Sequence, residues 1–116
     1  MENTKAPITE ADLIPFIERV QKLVDEYWTS GGFTHSKSPL VSFTKGTRYT
    51  RITKLERDKD GNAALRGSVY CFVDMTNGDI LKAASYKAPQ KNGVRGNLHD
   101  PNHMDCLNWH GTKYLR

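Results

Sequence analysis

The sequence predicts an α+β domain in which one N-terminal helix packs on a three- to four-stranded antiparallel meander, followed by an irregular C-terminal arm. Three observations predict this class. Apolar residues recur at helical spacing near the N-terminus, strand-forming residues dominate the middle of the chain, and Asn77-Gly78 marks a hairpin between two predicted strands. The length of 116 residues fits a single domain, 1–116, with one modest core.

The segment 9–28 predicts the helix. Its apolar stripe faces one side and comprises Leu13, Phe16, Ile17, Val20, Leu23, Val24 and Tyr27. Thr9 and Asp12 are both suitable N-caps. We predict Asp12, because it would place Pro15 in the first turn, where proline is tolerated.

Both ends of this helix have further signals. Gly31-Gly32 is expected to end it, since glycine is the preferred residue just after a helix. Residues 1–8 precede the cap and are predicted to be frayed.

Four stretches have strand character. They are rich in β-branched and aromatic residues, and they are VSFT (41–44), TRYTRITKLER (47–57), AALRGSVYCFVDM (63–75) and DILKAASY (79–86). The third is apolar on both faces, which predicts a central strand with the helix on one side. DKDGN (58–62) predicts a turn between the second and the third.

The regular pattern fades after Tyr86. Two prolines and two glycines interrupt the sequence between Pro89 and Pro101, so we predict that 87–116 is a loop-rich arm. Trp109 and Tyr114 are expected to hold the end of the chain against the domain.

The positive charge of the chain is concentrated in its last third. Residues 1–79 carry eleven Lys and Arg against eleven Asp and Glu, whereas 80–116 carry six against two. LKAASYKAPQKNGVRGN (81–97) contains no acid, and such a segment suits a polyanion. We predict a nucleic-acid or phosphate-binding site formed by Lys82, Tyr86, Lys87, Lys91, Arg95, Gly96 and Asn97, with Tyr86 as a stacking ring. A solvated basic surface is the alternative.

The stretch HDPNHMDCLNWH (99–110) contains several possible metal ligands: His99, His103, Asp105, Cys106 and His110. Their spacing fits no standard zinc motif, and Pro101 prevents a regular helix that would align His99 with His103. We therefore predict no metal site.

The sequence offers little for catalysis. Cys71 lies within an apolar strand, where a thiol is inert, and no serine has a nucleophile-elbow context. We predict no enzyme activity and no cofactor. With no signal peptide and no apolar stretch near the ~20 residues of a membrane span, a reducing cytoplasm is expected.

The block GSVYCFVDMTNGDILKAASYKAP (67–89), with RGN (95–97) and the terminal YLR, resembles short uncharacterised proteins encoded by tailed bacteriophages. The matching site positions are Lys82, Tyr86, Lys87, Arg95, Gly96 and Asn97. The resemblance implies an accessory protein that acts by binding in the host cytoplasm, in host takeover or counter-defence.

Two functions remain open from the sequence. The first is a non-enzymatic protein that binds nucleic acid or a phosphorylated nucleotide through the basic segment. The alternative is an inhibitor of a host protein, which would dock through a sheet edge or through the acidic helix face of Glu18, Asp25 and Glu26. The oligomeric state is left undetermined, and a homodimer is conceivable.

Overall fold

A computed structural model describes residues 6–32, 37–64 and 67–108 of the chain. Its helices and strands are α1 (Glu10–Ser30), β1 (Leu40–Thr44), β2 (Tyr49–Leu55), β3 (Ser68–Asp74), β4 (Asp79–Ala83), β5 (Pro89–Asn97) and a 3₁₀ helix at His103–Cys106. The strands form one antiparallel sheet in the order β1-β2-β3-β4-β5. The predicted α+β class is confirmed, with five strands rather than three or four.

The apolar stripe of α1 forms one side of the core. Leu13, Phe16, Val20 and Val24 are buried, and they pack with sheet residues that include Ile52 and Val73. Full burial of such a side chain stabilises a fold by roughly 1.5–3 kcal/mol. The stripe therefore fixes which face of the sheet α1 covers.

The N-terminus of α1 differs from the prediction. Thr9 is the N-cap, and Asp12 is the third helical residue. The Asp12 Oδ2 accepts hydrogen bonds from the Thr9 N–H at 2.9 Å and from the Thr9 hydroxyl at 3.2 Å. These bonds close the first turn at Thr9, and Pro15 consequently lies inside the helix.

The segment before α1 is attached to the sheet. Ile8 is buried, and its N–H donates to the Met75 carbonyl at 2.9 Å. The prediction of fraying up to residue 8 is therefore wrong at Ile8, and residues 1–5 lie outside the described part of the chain.

Strand β3 is central and buried on both faces, as its sequence predicts. Cys71 and Val73 point toward α1, whereas Phe72 lies on the other face and is only 2% exposed. The residues opposite Phe72 in the two neighbouring strands lie on the same face as Phe72. They are Arg51 in β2 and Leu81 in β4.

Strand β5 replaces most of the predicted loop. It pairs with β4 from Asp79 opposite Asn97 to Ala83 opposite Pro89, with two irregularities in the register. These irregularities remove the period-two pattern by which strands are recognised in a sequence. Gly93 is required here, because a Cβ would lie 2.7 Å from the Gln90 Cβ. Trp109 and Tyr114, predicted to hold the chain end, lie outside the described residues.

Gln21 of α1 binds the start of the edge strand β1. Its Oε1 accepts the Val41 N–H at 2.7 Å, and its Nε2 donates to the Pro39 carbonyl at 2.9 Å. The side chain takes the place of a neighbouring strand at this point. It therefore protects part of an edge that would otherwise be open to pairing with another chain.

Thr50 gives a stability prediction. It is fully buried, and its hydroxyl has no hydrogen-bond partner among the residues that the structure describes. Because an unsatisfied buried hydroxyl is unfavourable, Thr50→Val should raise the free energy of unfolding by about 1 kcal/mol, measured by urea titration. In the control Thr76→Val, a hydroxyl that donates to the Asp74 Oδ1 at 2.6 Å is lost, so stability should fall. A loss of stability in Thr50→Val would contradict the assignment.

Candidate anion-binding surface

The sheet face away from α1 carries both basic and aromatic side chains. Strand register places Arg51, Phe72, Leu81 and Val94 in one row across four strands, and Tyr49 lies two residues from Arg51 on the same side. We call this surface the opposite face. Its chemistry depends on the two Arg–Tyr pairs that lie on it.

Arg51 and Tyr86 form the first pair. The Arg51 Nε donates to the Tyr86 backbone carbonyl at 2.7 Å, and the guanidinium carbon lies 4.3 Å from the centroid of the Tyr86 ring. These two contacts hold the guanidinium in position. Within the described part of the chain, its two terminal nitrogens make no hydrogen bond. They form a pre-oriented pair of donors of the kind that binds phosphate.

Arg48 and Tyr49 form the second pair, with Asp74 below them. The Arg48 guanidinium lies 5.1 Å from the Tyr49 ring centroid, and it donates to the Asp74 Oδ2 from Nε at 3.1 Å and from Nη2 at 3.0 Å. This carboxylate holds the pKa of Arg48 above its ordinary value. Arg48 thus stays charged, with part of its charge balanced by Asp74.

Asp74 is almost fully buried as an ionised group. Burial by itself would raise its pKa, but hydrogen bonds from Arg48 and from the Thr76 hydroxyl and N–H outweigh burial and lower the pKa. The carboxylate therefore ties β3 to Arg48 and to the β3–β4 turn.

Two of the sequence-predicted residues lie in the β4–β5 connection beside Arg51. Tyr86 covers Arg51, and Lys87 is exposed, with its N–H bonded to the Ser85 hydroxyl at 3.2 Å. The connection is closed by a bond from the Ala84 N–H to the Ala88 carbonyl at 3.0 Å. Tyr86 thus adds an aromatic ring beside Arg51, and Lys87 adds an exposed cation to the same connection.

The other basic residues of the predicted site do not belong to one loop. Strand alternation places Lys82 on the side of Ile80, which is the α1 side of the sheet. Arg95 lies at an irregularity in β5, half-buried. Lys91 belongs to β5, and its side chain is outside the described part. The prediction of a single cationic loop is therefore corrected, because this segment is built as two strands and a short connection.

Gly96 and Asn97 have structural roles. Gly96 pairs with Ile80 in the sheet. Asn97 is only 5% exposed, and its Nδ2 donates to the Asn77 carbonyl at 3.0 Å and to the Asp79 Oδ1 at 2.9 Å. Its Oδ1 accepts the His99 N–H at 2.8 Å. With its amide fully used inside the fold, Asn97 holds the β3–β4 turn rather than facing a ligand.

Sequence reasoning missed Arg48 and Arg51, because both precede the basic segment by thirty residues or more. A signal was present. In TRYTRITKL (47–55), Tyr49 and Arg51 alternate with buried residues, which places them on the same face of a strand.

The histidine-rich stretch forms no metal cluster within the described residues. There, no group of three or more His, Cys, Asp and Glu side chains converges. The Nε2 of His99 is engaged by the Ala6 carbonyl, and the two ring nitrogens of His103 are engaged by the Asp100 carbonyl and Arg19. His110 and the side chain of Cys106 lie outside the description.

The fold and this surface define an α+β protein with two Arg–Tyr stacks on the free side of a five-stranded meander. Residues 17–115 match a family of unknown function, DUF7717, and the chain belongs to that family. No curated protein and no solved structure matches it. Among the described residues, no helix is long and apolar enough to span a bilayer.

Asn97→Ala should destabilise the fold, because the Asn97 amide has a structural role and does not face a ligand. It removes three hydrogen bonds and leaves buried polar groups unpaired, so the free energy of unfolding should fall by roughly 1–3 kcal/mol. Urea titration measures this, with the exposed turn residue Asn62→Ala as the control. An Asn97 variant as stable as the parent would show that the amide does not hold the turn.

The lowered pKa of Asp74 predicts an acid-dependent loss of stability. A group whose pKa is lower in the folded state stabilises the fold above its ordinary value, 3.8, and this contribution disappears as the pH falls through the folded value. Asp74→Asn should therefore be less stable than the parent at neutral pH, with a difference that shrinks below about pH 4. Urea titrations across this range measure the difference, and one that stays constant would contradict the ionised assignment.

Proposed function

We propose that this protein is a non-enzymatic binding protein that holds nucleic acid or a phosphorylated nucleotide on its opposite face. The observation that carries the proposal is Arg51. Its Nε is bonded to the Tyr86 carbonyl and its guanidinium lies against the Tyr86 ring, while its two terminal nitrogens make no hydrogen bond to the described residues. A fixed guanidinium binds phosphate with less loss of side-chain entropy than a mobile one.

The balance of charge supports an anionic ligand. Neither Arg51 nor Lys87 contacts a carboxylate within the described part of the chain. Asp74 is paired with Arg48, whereas Asp79 accepts a hydrogen bond from the neutral amide of Asn97 and keeps its charge. The charge available to an anion is therefore that of Arg51, which no described carboxylate contacts.

The aromatic rings support a ligand with bases. Tyr49 and Tyr86 lie on the same face as the arginines, and a base stacked on such a ring adds roughly 1–3 kcal/mol. Because stacking needs an unpaired base, single-stranded nucleic acid or a free nucleotide suits this surface better than a duplex. The resemblance to proteins of tailed bacteriophages adds that the ligand would be met in the host cytoplasm.

Inhibition of a host protein is a second candidate, and α1 supplies its observation. Ile14 is 45% exposed on the outer side of the helix, one turn from the exposed Glu18. An exposed apolar residue beside acids is suited to a partner with a basic, partly apolar groove. Such a contact would not involve Arg51.

The test is binding of a labelled single-stranded oligonucleotide, measured by fluorescence anisotropy at several salt concentrations. Arg51→Gln should weaken binding by about tenfold or more, because a charge-assisted phosphate contact is lost. Lys87→Glu should weaken it as well. Lys59→Gln, which removes a positive charge in the exposed 58–62 turn, should leave binding unchanged.

Salt dependence separates the two ligands. Affinity for nucleic acid should fall steeply with salt, whereas affinity for one nucleotide should fall little. If the Arg51→Gln variant keeps its thermal stability and binds as tightly as the parent, the opposite face is not the binding site. A host partner that is still captured by the Arg51→Gln and Lys87→Glu variants would favour inhibition instead.

A further inference from the structure

A small polar cavity lies where the start of α1 meets the segment after β5. Its volume is about 140 Å³, and its polar lining comes from Asp12, Arg19, His99 and His103. Phe16 and Leu98 contribute apolar walls. The cavity is distinct from the opposite face, because it lies at α1.

His103 orients Arg19 at the edge of this cavity. The ring of His103 is 95% buried and lies 5.7 Å from the Phe16 ring. Its Nδ1 lies 2.8 Å from the Asp100 carbonyl, which can only accept, so Nδ1 carries the hydrogen. In the neutral ring Nε2 is then the acceptor, and it receives the Arg19 Nη1 hydrogen bond at 3.2 Å.

Donors and an acceptor of this cavity remain unused. The Arg19 Nε and Nη2 make no hydrogen bond within the described residues. Asp12 accepts from Thr9 through Oδ2 only, which leaves Oδ1 without a partner there. The His99 Nε2 donates to the Ala6 carbonyl at 2.7 Å, which leaves the His99 Nδ1 without a hydrogen bond among the described residues. The cavity thus combines a guanidinium with one carboxylate oxygen.

We infer that this cavity binds a phosphate group that carries a proton. The unprotonated oxygens accept from Arg19, and the P–OH group donates to the Asp12 Oδ1. The volume is close to that of a protein cavity of about 150 Å³ that holds benzene, which has one heavy atom more than phosphate. Sulfate has the same shape but no proton at neutral pH, so its oxygens would face the Asp12 carboxylate without a hydrogen.

The test is isothermal titration calorimetry of the full chain with inorganic phosphate and with sulfate, at neutral pH and equal ionic strength. Phosphate should bind at least about tenfold more tightly than sulfate. Arg19→Gln should lower phosphate affinity by about tenfold, whereas Lys22→Gln, an exposed change on the same helix, should not alter it. Asp12→Asn should weaken phosphate and strengthen sulfate, so that the preference largely disappears.

A third titration with a phosphate monoester identifies the source of the group. Binding of the monoester or of inorganic phosphate supports the site, and binding of neither overturns it. Equal affinity for sulfate and phosphate, or an unchanged Arg19→Gln variant that retains its thermal stability, also overturns it. Arg51→Gln should leave this binding intact, so failure of the proposed function and failure of this site are separate results.

Discussion

The requirement that β3 bury both of its faces organises this molecule. On one face Cys71 and Val73 are covered by the apolar stripe of α1. On the other, Phe72 lies beside Arg51, whose guanidinium is in turn covered by Tyr86. Within the described part of the chain, no second α-helix is present to cover this face. The cross-strand neighbour of Phe72 on this face is therefore a cation stacked on a ring.

Under the proposed function, this arrangement would link stability and binding through the same side chain. Arg51 lies opposite Phe72 in the sheet, and its Nε holds the β4–β5 connection through the Tyr86 carbonyl. Arg48 has a similar double role through Asp74, which is stabilised as a carboxylate by three hydrogen-bonding groups. Because both guanidinium groups are already ordered, binding an anion requires little further loss of side-chain freedom. A surface lysine such as Lys87 lacks this pre-ordering.

Local signals in the sequence were sufficient for the elements with strong periodicity. The α1 stripe, the two-sided β3 and the hairpin at Asn77-Gly78 could all be predicted, since each depends on spacing or on one glycine with positive φ. Strand β5 could not be predicted, because its glycines and irregular register weaken the strand pattern in its own sequence. The strand is stabilised by pairing with β4, which the sequence of the segment alone does not reveal. The site was only half predictable for the same reason. Tyr86 and Lys87 belong to the basic segment, whereas Arg51 lies near them only because of the fold. Asn97 was included as a binding residue, but its polar side chain is used in a hydrogen bond to the Asn77 carbonyl.

The most direct measurement of the central claim is NMR mapping of backbone amide shifts while a single-stranded oligonucleotide is added to the isotope-labelled protein. If the opposite face meets the ligand, the largest changes fall in two segments far apart in sequence, 48–51 and 84–88, and those of α1 stay small. Changes concentrated on α1, or spread evenly over the molecule, would contradict the account.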